Sequence, residues 1–208
     1  MYAIVCMNDL QGIGYRGMIP WKSKEDMRFF RRVTIGDGNN AVVMGHNTFK
    51  SIGSRPLSNR KNYVLTRTLP CTETHPYEND SVVYLTNIEN VLLLSHLYDK
   101  VFIIGGEEIY KTFEPHYQKI YVTHIHNHIP CDTFFTVDIN SYIIEKETHV
   151  EDNGIQLRFV EYKKRNTNEN YDLEAGTAQE KSTDIKENKT PKRTIFQKYR
   201  ESLVPFRI

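Results

Sequence analysis

The stretch Val101-Phe-Ile-Ile-Gly-Gly-Glu-Glu-Ile-Tyr110 sets four large apolar residues before two glycines and an acidic continuation. A short apolar run that stops at a turn signal reads as a buried strand, here Val101–Ile104. Glu107–Phe113 then reads as a helix. The glycine pair has two physical readings. One is a tight strand-to-helix turn. In the other, the missing side chains let a phosphate approach the backbone, and the free N–H groups of the helix start bind its charge. The spacing is not G-x-G-x-x-G, which argues against an ordinary Rossmann dehydrogenase.

The same alternation extends in both directions. Upstream, Ala3–Met7 reads as a buried strand, and Gly12, Gly14, Gly17 and Pro20 mark a loop. Ser23 caps a helix that carries Met27, Phe30 and Val33 on one side. Ala41–Gly45 and Asn62–Thr66 read as strands, with a short helix around Thr48–Ile52 between them. Ser81–Leu85 reads as a strand and Ile88–Leu97 as a helix. Downstream, Ile120–Ile125, Tyr142–His149 and Gln156–Tyr162 are strands with no helix between the last of them. Strand, glycine turn and helix in alternation predict one α/β domain with a mostly parallel central sheet and helices on both faces. The uninterrupted final strands predict an antiparallel C-terminal edge.

The chain has 208 residues, enough for one domain with little room for a second. Lys+Arg number 27 and Asp+Glu 26, a net charge of +1, which argues against a dedicated nucleic-acid binder. No apolar run approaches the length of a transmembrane helix. The N-terminus lacks a basic region ahead of its apolar residues and reads as a strand, not a signal peptide. The widely spaced Cys6, Cys71 and Cys131 form no metal-type pair, so a reducing cytoplasm is expected. From Asn166 to Thr194 the only large aliphatics are Leu173 and Ile185. Such a stretch cannot bury enough apolar surface to offset its ordering entropy. The expected organisation is therefore a domain over 1–165, a polar linker over 166–194 and a short amphipathic segment over 195–208. Ile195, Tyr199 and Leu203 lie four apart in that segment, which could dock on the domain, on a second copy or on a partner.

The first loop, Gly12-Ile-Gly-Tyr-Arg-Gly-Met-Ile-Pro-Trp21, leads to the only Trp of the chain and then to Asp26. A glycine-rich loop of this kind can cover a ligand and move. Ser23-x-x-Asp26 resembles a capping box, in which Asp26 serves only the helix N-terminus. The other reading is a buried carboxylate at the floor of a pocket, facing an amidine-like group.

Gly12-Ile13-Gly14, Gly17, Pro20-Trp21 and Asp26 resemble the opening of the dihydrofolate reductase family. Val42-Val43-Met44-Gly45-x-x-Thr48-Phe49-x-Ser51-Ile52 resembles its second block, and Arg55-Pro56-Leu57-x-x-Arg60-x-Asn62 its third. Ile104-Gly105-Gly106-x-x-Ile109-Tyr110, Tyr121-Val122-Thr123-His124-Ile125 and Asp132-Thr133-Phe134-Phe135 follow in family order. These blocks span residues 2–162 and leave the tail uncovered.

The resemblance implies an NADPH-dependent reduction of 7,8-dihydrofolate to tetrahydrofolate, with a role for each matched residue. Asp26 would pair with the 2-amino group and ring N–H of the pterin, and Thr123 would hydrogen-bond that carboxylate. Arg60 would bind the α-carboxylate of the glutamate tail, where a planar fork suits a carboxylate. Phe30, Ile52 and Leu57 would clasp the pterin and benzoyl rings. Ile4, Cys6 and Ile104 would line the floor where nicotinamide meets pterin, with Tyr110 beside the hydride path. Ile19 and Trp21 would flank the water that protonates N5. Ile13 and Gly14 of the first loop would face the cofactor. Gly45, His46, Asn47 and Thr48 would form one phosphate cradle, and Gly105, Gly106, Glu107, Glu108 and Ile109 the other. Leu65, Thr66 and Arg67 fall where the family holds the adenosine 2′-phosphate, which favours NADPH over NADH.

Some residues depart from the family pattern. Glu107 follows Gly106 where small residues are usual, and would repel a pyrophosphate unless its side chain turns outward. His46 stands where Arg or Lys is usual, Asn59 replaces a frequent Gly before Arg60, and Thr136 a frequent Pro. His124, His126 and His128 alternate, so on one strand face they could meet a metal. The family places a His at the first position without one, and a polar strand face is expected, with no metal site. Two other functions compete. A related pterin or riboflavin-pathway reductase would have no need for both Asp26 and Arg60. A non-catalytic ligand- or partner-binding relative would not need Asp26, Trp21, Thr123 and Arg60 all intact.

Overall fold

The computed structural model describes residues 1–67 and 82–165. Eight strands form the central sheet in the order β5-β4-β3-β6-β1-β7-β10-β9. They are β1 (Tyr2–Asn8), β3 (Asn40–Gly45), β4 (Lys61–Leu65), β5 (Val82–Leu85), β6 (Lys100–Ile103), β7 (Lys119–Ile125), β9 (Tyr142–Asp152) and β10 (Ile155–Lys164). Strands β5 to β7 in that order pair in parallel, while β10 is antiparallel to both β7 and β9. The predicted mostly parallel sheet with an antiparallel C-terminal edge is what forms. Two short strands, β2 (Gly12–Gly14) and β8 (Thr133–Phe134), pair apart from it.

Alternation along the strands divides the core into two layers. Ala3, Val5, Met7, Val43, Ile103 and Val122 face one side. There they pack against α3 (Ile88–Leu93) through Val91 and α4 (Glu107–Phe113) through Phe113. Ile4, Val42, Met44, Phe102 and Tyr121 face the other. They meet α1 (Lys24–Ile35) through Phe29 and α2 (His46–Ser51) through Phe49. Helices thus cover both faces, as expected for buried parallel strands.

Three local expectations change. The face of α1 against the sheet is carried by Phe29 and Thr34, while Met27 is 59% exposed; Phe30 and Val33 are half-buried. The helix from Ile88 keeps α geometry only to Leu93 and tightens to a 3₁₀ turn over Leu94–His96. Residues Gly12–Gly14 are a strand rather than part of a plain loop. The expected start of one strand at Ser81, Cys71, the linker over 166–194 and the segment over 195–208 lie outside the described residues. Among those described, no helix is long and apolar enough to cross a membrane.

Candidate active site

Strand β1 lies between β6 and β7, so the side chains of Ile4 and Cys6 stand on one face beside that of Thr123. The N-terminus of α1 arrives over this face. Ser23 caps the helix by accepting the Asp26 N–H at 3.0 Å. A capping box would return the Asp26 carboxylate to Ser23. It turns instead toward Thr123 and Cys6. Burial pushes the Asp26 carboxyl above its ordinary range, while hydrogen bonding from the Thr123 hydroxyl and the Cys6 thiol pulls it back. The Cys6 thiol is pushed well up by burial and by the Asp26 charge beside it. The buried Trp21 donates its Nε1–H to Cys6 Sγ at 3.2 Å. Ile19, Trp21, Lys24, Asp26 and Met27 line a cleft of about 710 Å³, which gives the exposed Met27 a surface to face.

Arg60 sits at the end of a turn organised by Asn62. The Asn62 amide accepts Leu57 N–H at 2.8 Å and donates to the carbonyls of Leu57 and Arg60 at 3.0 and 2.9 Å. Asn59 takes φ 62°, a left-handed geometry that Asn tolerates in place of Gly. The Arg60 guanidinium donates to the fully buried Thr34 Oγ1 at 2.7 Å and lies 5.7 Å from the Phe30 ring centroid. Burial and the nearby Arg31 charge lower its proton affinity. Among the described residues no carboxylate pairs with it. Leu57 is half-buried, and Ile52 leaves 36% of its surface open. The Arg60 fork thus lies against Phe30 without a carboxylate partner among the described residues, which leaves it able to take one.

The two glycine turns meet at the C-terminal edge of β3 and β6. Gly45 N–H donates to Gly105 O at 2.7 Å, and the Gly105–Gly106 peptide is cis. Gly105 has φ 118°, and a Cβ there would come 3.4 Å from Tyr110 and 3.5 Å from Thr48 Oγ1. Gly45 and Gly106 begin α2 and α4, and neither N-terminus is capped by a side chain. Two uncapped sets of backbone N–H groups around a surface without side chains suit a dinucleotide pyrophosphate.

Residues 1–164 match the family model described as dihydrofolate reductase. The chain belongs to the dihydrofolate reductase family. It is 38% identical over 182 residues to the dihydrofolate reductase of Schistosoma mansoni, a match covering 76% of this chain and 93% of that one. To the Bacillus subtilis dihydrofolate reductase it is 32% identical over 168 residues, covering 79% and 94%. The solved structure of Enterococcus faecalis dihydrofolate reductase complexed with NADP(H) and RAB-propyl is similar with a TM-score of 0.69 at 29% identity, covering 79% of this chain and 96% of that one. The rival reading as a riboflavin-pathway reductase finds no support in these matches.

Against the dihydrofolate reductase pattern, the Glu107 departure resolves locally, as Asn59 does. The Glu107 carboxylate accepts Phe134 N–H at 3.2 Å, which turns it away from the glycine cradle. Arg67, beyond β4, is exposed and lies 3.7 Å from the Glu108 carboxylate, itself exposed at the start of α4. Leu65 and Thr66 are half-buried beside it, and His46, Asn47 and Thr48 open α2. Ile109 packs tightly on Gly45, whose Cβ would lie 3.0 Å from its Cγ1. Ile13 packs on the sheet core, while Ile104 is half-buried on the opposite face with Ile4. Tyr110 is buried, and its hydroxyl donates to Ile4 O at 2.7 Å. The three histidines do not share a strand face: β7 ends at Ile125. His124 pairs with Tyr162 at 3.1 Å, and His126 with Asp9 at 2.9 Å.

Two site residues escape the sequence reading. Thr34 anchors Arg60, as described. Asp152, at the end of β9, accepts Ser23 Oγ–H at 2.7 Å and the Lys24 and Glu25 N–H groups at 2.6 and 3.2 Å. It thus braces the helix turn that carries Asp26. The Asn153-Gly154 pair beside it has φ 53° and 80°, the positive values of a type I′ hairpin turn. That dipeptide was the one available signal for the turn; nothing local marks Asp152 as a cap.

Proposed function

We propose that this protein reduces 7,8-dihydrofolate to 5,6,7,8-tetrahydrofolate with NADPH, using the cleft between α1 and strands β1 and β7. The observation that carries the reading is a half-buried carboxylate, Asp26, braced by Thr123 and Cys6 in the first turn of α1, with Arg60 held by Thr34 near the other end of the same helix. Asp26 accepts the 2-amino group and ring N–H of the pterin in a two-point contact. Phe30, Ile52 and Leu57 hold the rings, and Arg60 takes the α-carboxylate of the glutamate tail.

NADPH, when bound, supplies a hydride to C6 of the pterin. Gly45 to Thr48 and Gly105 to Ile109 hold its phosphates, and Leu65, Thr66 and Arg67 its 2′-phosphate. Ile13 and Gly14 cover it from the first loop. N5 must gain a proton, and the protein's own donors near it are committed elsewhere. Trp21 N–H is given to Cys6, and Tyr110 O–H to the Ile4 carbonyl. Water passing Ile19 and Trp21 therefore delivers the proton, while Asp26 favours the protonated ring by its charge. Tyr110 shapes the wall beside Gly105 rather than donating. Residues 1–165 form the catalytic unit, in a reducing cytoplasm that keeps the Cys6 thiol free.

The test is loss of the NADPH absorbance band on adding dihydrofolate to purified protein, with Asp26→Asn in parallel. The reading holds if the parent turns over and Asp26→Asn is crippled. A folded parent that binds NADPH but never oxidises it would sink the reading in favour of a non-catalytic relative.

A further inference from the structure

Asn8 is a polar side chain only 2% exposed, at the end of β1 where the strand gives way to the loop over residues 9–20. Its Oδ1 accepts two backbone N–H groups of that loop, Leu10 at 3.0 Å and Gly12 at 2.8 Å. Its Nδ2 donates to Ile129 O at 3.0 Å and lies 3.8 Å from Cys131 Sγ. One amide therefore joins β1, the start of the loop and the chain that leads into β8. The packing around it leaves no slack. A Cβ on Gly12 would fall 2.5 Å from Cys131 Sγ and 3.0 Å from Asn8 Oδ1. Past this point the two segments stay zipped, with Phe135 N–H on Gln11 O at 2.8 Å and Asp132 N–H on Gly14 O at 3.0 Å.

The loop's far half is built differently. Met18 is 66% and Ile19 58% exposed, and Met18 is bonded through its backbone to Tyr15 of the same loop. The chain then delivers Trp21 to Cys6, next to Asp26. The loop thus has a base tied by the buried Asn8 amide and an exposed tip, with Ile19 on the cleft wall. The base needs a group that accepts two N–H bonds and donates one at the same time. A short carboxamide does this from two atoms, accepting at Oδ1 and donating at Nδ2; a carboxylate has no donor, a methyl has neither, and a hydroxyl would have to meet both sides from one oxygen.

We propose that Asn8 is the positioning residue for the 9–20 loop: its buried amide sets where Ile13, Gly14 and Ile19 come to rest against the nicotinamide–pterin contact. This rests on the reading of the cleft given under Proposed function. Asn8 itself touches no reacting atom.

The full-length chain is tested as Asn8→Ala and Asn8→Asp, with Val160→Ala as the comparison. Val160 is fully buried on β10 and outside the cleft. Single-turnover hydride transfer is measured at saturating NADPH and dihydrofolate, together with amide hydrogen exchange. In Asn8→Ala the hydride step should slow by about ten- to a hundredfold, since small misplacements of reacting groups cost this much. Dihydrofolate affinity, set by Asp26 and Arg60, should stay within about threefold, the split expected when positioning and not ground-state binding is lost. Exchange at Leu10 and Gly12 should accelerate while β3 amides stay protected. Asn8→Asp keeps the two acceptor contacts but opposes an oxygen to Ile129 O. It should therefore loosen the 129–131 end and slow the hydride step less; it also stands in if Asn8→Ala does not fold. Val160→Ala should lower the melting temperature and leave the hydride step alone.

An unchanged hydride step in a folded Asn8 variant overturns the proposal. So does unchanged exchange at Leu10 and Gly12, or an equal slowing in Val160→Ala at matched melting temperature. If the parent itself shows no turnover, the proposed function fails, and the exchange at Leu10 and Gly12 still decides whether Asn8 holds the loop.

Discussion

Replacing Asp26 by Asn separates catalysis from stability, because the two move in opposite directions. The amide keeps the shape and loses the charge and one acceptor. A hydrogen bond to a charged group contributes about 1.5–3 kcal/mol. At about 1.4 kcal/mol per decade, losing one such bond in the transition state lowers kcat/KM by roughly 10- to 150-fold. Stability follows proton linkage. Burial holds the Asp26 pKa above its unfolded value, so across the interval between the two the folded chain binds more protons than the unfolded one. Stability from this group therefore falls as pH rises through that interval. Above the interval the whole cost of the buried charge is present. Asparagine does not titrate and escapes it. Against this stands the loss of a favourable carboxylate in the first turn of α1, about 0.3–1 kcal/mol. Asp26→Asn should thus melt at or above the parent at pH 7, and the advantage should vanish in acid, where the parent's carboxyl is protonated. Its turnover should recover in part at low pH, where solution supplies the ring proton. Steady-state kinetics and thermal melts across pH check both arms. A variant with near-full turnover and a lower melting temperature at pH 7 would make Asp26 a helix cap, and the mechanism would be wrong.

Arg60→Lys should raise the dihydrofolate KM far more than it lowers kcat, because the fork held by Thr34 is remote from the hydride path; a kcat loss without a KM change refutes its role. Arg67→Ala should weaken NADPH and leave NADH nearly untouched. Equal losses for both cofactors would remove Arg67 from the 2′-phosphate site. A chain cut after Arg165 should fold and keep its turnover, since β10 ends at Lys164 and the family match at 164; insoluble or inactive protein from that truncation refutes the domain boundary.

The fold was legible because it is written in local signals. Glu107–Phe113 begins and ends where the Gly105-Gly106 turn and the apolar spacing place it. The strand boundaries outside the tail differ by only a few residues from the turn signals that delimit them. The face of α1 was not legible. Met27, Phe30 and Val33 share a helical side as well as Phe29 does, and hydrophobicity alone does not say which side meets a sheet and which meets a ligand. The exposed Met27 on a cleft wall is the outcome of that ambiguity.

The site divides in the same way. Ser23-x-x-Asp26 satisfies the local cap, and the cap does form, yet only through the Asp26 backbone. Where the carboxylate goes is decided by strand order: β7 lies next to β1, so Thr123 stands opposite Cys6 beneath the helix start. No window of sequence around Asp26 contains that fact. The braces around the site are more remote still. Asp152 reaches Ser23 across 129 residues, and Asn8 reaches Ile129 across 121. Each is a polar residue that would pass for a turn former in its own neighbourhood. They become legible only when their donors and acceptors are counted in three dimensions, because a buried polar group must find partners and the chain brings those partners from elsewhere. The residues that match the family motif can be read in a line. The groups that hold them in place answer to topology: the final hairpin, through Asp152, braces the turn that carries Asp26, and the 129–135 segment, through Asn8, braces the start of the glycine loop.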